Sequence, residues 1–89
     1  MRPEVAWFAE QMEKKLLAND HKGGWDKMSY EELKSRLIEE TGELIGALYS
    51  KDPKRIIDEA TDVANFCMFI SDVAKKTEGE GNEANQEES

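Results

Sequence analysis

Four acids in two pairs, Glu40-x-x-Glu43 and Glu59-x-x-Asp62, hold the chemistry most legible in this 89-residue chain. A helix advances about 100° per residue, so position numbers alone define a wheel. With Leu33 at zero, Leu44 and Leu37 fall at roughly 20° and 40°, and Glu40 at roughly 340°, inside the leucine stripe. Arg36 and Glu43 flank it at roughly 300° and 280°, and Glu39 faces partly outward at roughly 240°. On a following helix, with Ile56 at zero, Glu59 falls at roughly 300° between Phe66 and Ile70. Asp62 falls at roughly 240°, between Phe69 and Val73. Carboxylates brought that close resist ionisation, because each like charge and each lost water raises the cost of the charged form. Arg36 could neutralise one acid and protonation another. A divalent cation could hold all four, and Mg²⁺ or Mn²⁺ prefers carboxylate oxygens. A di-iron bundle would want Glu-x-x-His, and the single histidine, His21, stands in a loop segment.

The elements that position these acids read as three helices. Pro3 opens the first, with Val5, Phe8, Met12 and Leu16 at helical spacing, and "NDHKGG" closes it. Ser29 and Glu32 form a capping box that starts the second, which runs to about Tyr49 on a stripe of Leu33, Leu37, Leu44 and Leu48. Asp52 caps the third and Pro53 takes its first turn. Ile56, Ala60, Val63, Cys67, Ile70 and Ala74 line one face, and the helix is expected to fade near Lys76. The short "SKDPKR" connection makes the second and third helices antiparallel neighbours. Cys67 reads as a small core residue, and a single cysteine excludes a disulfide within the chain. The fold class is all-α, with residues 1–76 as the helical domain.

Charge narrows the partners. The net charge is −8, and residues 77–89 take five of the 20 acids and none of the 12 bases, leaving 1–76 at −3. That tail reads as a solvated, disordered extension. The remaining balance offers no basic footprint for nucleic acid. Neither a signal peptide nor a membrane-spanning run is visible, so a cytoplasmic protein is expected.

The pair Glu40-x-x-Glu43 in "EETGEL", followed after fifteen residues by the pair Glu59-x-x-Asp62 in "DEATDVANF", resembles the acidic motif of the MazG-like, all-α nucleoside triphosphate pyrophosphatases over residues 29–73. The resemblance implies a Mg²⁺-dependent enzyme that cuts a nucleoside triphosphate between its α and β phosphates. It implies Glu40, Glu43, Glu59 and Asp62 as metal ligands, and Glu39 as the group that orients or deprotonates water. Arg36 would contact phosphate, and Asn65 the sugar or base, unless it is only a polar edge residue. In the loop "HKGGWDKM", Lys22 or Lys27 could reach a phosphate, and Trp25 could stack on a base or simply close the core. Within the superfamily, dimeric dUTPase and phosphoribosyl-ATP pyrophosphatase share the acidic helices. A non-catalytic helical interaction module is the reading from a different class. Fuller family members carry a fourth helix; here the wide apolar arc of residues 56–74 calls for self-association, as dimer or tetramer. Whether one chain makes a whole site stays open on that count.

Overall fold

In the computed structural model, which describes the backbone of residues 1–88 and the side chains of 1–79, the chain forms three helices: α1 (Pro3–Asn19), α2 (Tyr30–Ser50) and α3 (Pro53–Glu88). Local chemistry sets each boundary. Beyond α1 the chain tightens into a 3-10 turn, Asp20–Lys22, and leaves it at Gly23 with φ of 92°. Side chains avoid that left-handed region, and glycine does not. At the start of α2 the capping box is complete: Ser29 Oγ accepts from the Glu32 amide at 3.1 Å, and Glu32 Oε1 accepts from the Ser29 amide at 3.2 Å. The C-terminus of α2 is closed by Lys51, a left-handed residue at φ 60°, whose amide donates to the carbonyls of Ala47 and Leu48. Asp52 then accepts from the Lys54 amide at 3.2 Å and caps α3.

α3 is the central element. α1 and α2 both pack on it, and among the described residues they do not pack on one another. The pairing of Arg36 with Phe66 and of Gly46 with Arg55 shows that α2 runs antiparallel to α3. Asn65 meeting Met12, and Asp62 meeting Lys15, shows the same for α1. No described helix is long and apolar enough to cross a membrane.

The interior is thin. Among the described side chains only Leu33 and Ala47 are buried apolar residues, whereas Glu40, Thr61 and Asn65 are buried polar ones. Three expectations need correction. Cys67 is exposed and not part of the core, because α3 receives α1 and α2 on its other faces. Leu48, expected in the buried stripe, is exposed beside Ile45 and Tyr49 at the end of α2. The helix also does not fade near Lys76. Lys76 bonds Asp72 one turn back at 2.8 Å, and Thr77 Oγ1 donates to the Val73 carbonyl at 3.0 Å. Gly79 does not take the positive φ that would stop the helix there. The expectation of a disordered acidic tail over 77–89 falls mostly on side chains outside the described residues.

Candidate metal centre

The antiparallel pairing of α2 and α3 sets Glu40 and Glu43 opposite Glu59, with one carboxylate oxygen from each within 4.8 Å of the others. Glu40 is 7% exposed, where the wheel places it. Its Oε1 accepts from Arg36 Nη2 at 3.2 Å, but its Oε2 is buried without a partner. Glu59 Oε2 is orphaned in the same way. Burial pushes the Glu40 carboxyl up to about 7, the negative charges of Asp62 and Glu43 add to it, and Arg36 opposes the shift. Glu59 is raised as well, by burial first and then by its contact with Glu43. Buried polar atoms normally find partners. Two orphaned carboxylate oxygens in an acidic cluster are the donor set a hard divalent ion takes, so the residues fit such an ion.

Asp62 belongs to a neighbouring group. Asp58, Glu59 and Asp62 also bring one oxygen each within 4.8 Å. Here a cation is already built in: Lys15 Nζ lies 2.7 Å from Asp62 and 2.8 Å from Asp58. Burial would lower the Lys15 pKa, but the two carboxylates outweigh it and hold the ammonium above its ordinary range. The four acids therefore do not converge on one point; they form two sets that share Glu59. The sequence reading singles out neither Lys15 nor Asp58. A signal for Lys15 exists: with Phe8 at zero on the wheel of α1, Lys15 falls at roughly 340°, at the edge of the apolar stripe.

Beside both sets opens a cleft of about 570 Å³, walled by α1, the loop after it, α2 and α3. Trp25 stacks on Phe69 with ring centres 4.4 Å apart, and its indole N–H donates to Asp72 at 2.9 Å. Phe66 meets Phe69 edge-on at 5.2 Å, and the Arg36 guanidinium lies 5.3 Å above the Phe66 ring. Lys76 and the Trp25 N–H hold the Asp72 carboxyl below its usual range. Trp25 thus closes the packing of α3 while still lining the cleft. Arg36, Asn65 and Lys22 line it too. Asn65 donates to the Met12 carbonyl at 3.3 Å, and its Oδ1 is buried without a partner. Glu39 is exposed and bound to Arg36 at 2.8 Å. Lys27 is exposed and does not line the cleft.

Fold and site together define an all-helical domain that gathers carboxylates from two antiparallel helices at the mouth of an aromatic cleft. The chain belongs to the MazG nucleotide pyrophosphohydrolase domain family, which matches residues 28–82. It is also similar to an uncharacterised protein of Archaeoglobus fulgidus, 48% identical over 46 residues that cover 52% of this chain and 50% of that relative. The chain thus matches about half the length of that relative. No solved structure matches it.

Proposed function

We propose that the protein is a divalent-metal-dependent pyrophosphohydrolase that converts a nucleoside triphosphate, ribose or deoxyribose, to the monophosphate and pyrophosphate. The observation that carries this reading is the orphaned, buried Glu40 Oε2 within reach of Glu43 and Glu59, beside a cleft with basic and aromatic walls. Mg²⁺ or Mn²⁺ held there would bring positive charge to the phosphate oxygens and make a bound water more acidic. Glu40, Glu43 and Glu59 are the proposed ligands, with Asp62 alongside them through the shared Glu59. Arg36, stacked on Phe66, is placed to bind phosphate once it leaves Glu39 or Glu40. Lys22 reaches the same cleft from the loop, whereas Lys27 drops out of the proposal. Glu39 stands exposed at the edge and can accept a proton from water. Trp25 and Asn65 are the proposed contacts to base and sugar. Catalysis would rest on positioning and charge stabilisation, with no protein nucleophile.

Residues 1–76 form the proposed working domain and 77–89 an acidic extension to it. A dimer or tetramer is the proposed assembly, since Ile38, Ile45, Leu48 and Tyr49 leave an apolar strip on the outer side of α2. A groove of about 720 Å³ along α1, lined by Val5, Trp7, Phe8 and Met12 among others, is a second such surface. The matching location is the cytoplasm, where the nucleotide pool lies. Pyrophosphate release measured across a panel of ribo- and deoxyribonucleoside triphosphates with Mg²⁺ tests the reading. Turnover of at least one supports it. Turnover of none, despite metal binding, favours an interaction module whose acids are compensated by Arg36 and Lys15.

A further inference from the structure

The two acidic sets differ in one respect. Glu40, Glu43 and Glu59 hold two orphaned carboxylate oxygens, and the only cation touching them among the described residues, Arg36, contacts a single oxygen of Glu40. Asp58, Glu59 and Asp62 hold the ammonium of Lys15 between two carboxylates, at 2.7 and 2.8 Å. Two sets joined by a shared carboxylate are the arrangement in which a pair of divalent ions is commonly held. Resting on the metal-centre reading above, we infer that Lys15 is an internal cation that fills the second set, so that each chain takes one divalent ion and not two.

Three observations carry this. The first is that Lys15 is delivered by a separate helix, and α1 is fastened to α3 one turn away by the bond from Asn65 to the Met12 carbonyl. The ammonium is therefore placed by helix packing and not by a freely swinging side chain; its side chain is 25% exposed. Second, an ion entering the second set would have to expel an ammonium that already bridges two carboxylates. Third, Lys15 already lines a cleft that also holds Lys22 and Arg36, and like charges there oppose any swing of the ammonium further into it. A monovalent group with fixed reach also leaves Asp62 oriented without demanding a full coordination shell, so Lys15 acts as a positioning residue.

The test counts ions on the full chain, freed of metal and titrated with Mn²⁺ by calorimetry and by the loss of free-Mn²⁺ resonance signal. Wild type is expected to bind one Mn²⁺ per chain. Lys15→Met, which keeps the stem and removes the charge, is expected to bind two, and Lys15→Arg one. Two ions on wild type, or a single ion on Lys15→Met, would overturn the inference while leaving the metal centre standing. No ion on wild type would instead sink the metal-centre reading itself, and this inference with it. Should Lys15→Met fold poorly without metal, thermal melting reads the same question. Mn²⁺ is then expected to raise its melting temperature more than that of wild type, and an equal rise refutes the idea.

Discussion

Replacing Glu40 by glutamine separates a buried ligand from a structural ion pair, because the two roles give opposite signs. The Glu40 carboxyl sits at about 7 in the fold against an ordinary 4.5. A carboxyl raised by folding makes ionisation favour the unfolded chain, so stability is lost as pH rises from the ordinary value through the folded one. At about 1.4 kcal/mol per pH unit, the metal-free protein forfeits roughly 3 kcal/mol above pH 7 through this group. Glutamine keeps the shape and removes that loss. It also gives up the charge on the 3.2 Å contact to Arg36, a half-exposed partner worth about 0.5 kcal/mol. The net expectation without metal is a gain of about 2–3 kcal/mol at pH 8, on the order of 10 °C in melting temperature for a domain of this size. At pH 5, where Glu40 is protonated in the fold, the gain shrinks below about 1 kcal/mol. Thermal and urea unfolding in chelator at the two pH values, at one protein concentration, measure this. Added Mg²⁺ is expected to reverse the ranking, since wild type gains a bound ion that Glu40→Gln has weakened. Turnover by the variant is expected to fall at least about a hundredfold. A variant that is less stable than wild type at pH 8 without metal, yet turns over nucleotide normally, would make Glu40 the partner of Arg36 and nothing more.

Other consequences follow from the helix ends and the outer surface. Lys51→Gly is expected to stabilise the fold by about 1 kcal/mol, because it relieves a left-handed lysine at the end of α2; a fall in melting temperature would show that the turn is unstrained. Light scattering at micromolar concentration is expected to report a dimer or tetramer, since α2 exposes Ile38, Ile45 and Leu48. A stable monomer would contradict that.

What the chain's order of residues discloses is mostly what is local. The capping box at Ser29, the start of α3 at Asp52–Pro53 and the burial of Glu40 each depend on neighbours within a turn or two, and each stands as the spacing predicts. The division of the acids does not. Lys15 lies 47 residues from Asp62, and a helical wheel cannot say which lysine of one helix meets which acid of another. Its place at the edge of the apolar stripe of α1 is a legible signal, weaker than that of Glu40 in α2. The wheel misplaces Cys67 and Leu48 for a related reason. An apolar arc states how much surface must be covered, while the docking of the other helices decides which residues within it a single chain covers. The end of α3 escapes the pattern because glycine in the tail signals a stop only when its φ turns positive, and Gly79 does not turn.

The central claim, cleavage between the α and β phosphates by a metal-loaded acidic centre, is tested most directly by ³¹P NMR of the full chain with Mg²⁺ and the nucleotide it turns over fastest. The account predicts paired growth of nucleoside monophosphate and pyrophosphate signals that stops when the metal is chelated. Orthophosphate with nucleoside diphosphate, or no change in any triphosphate offered, would contradict it.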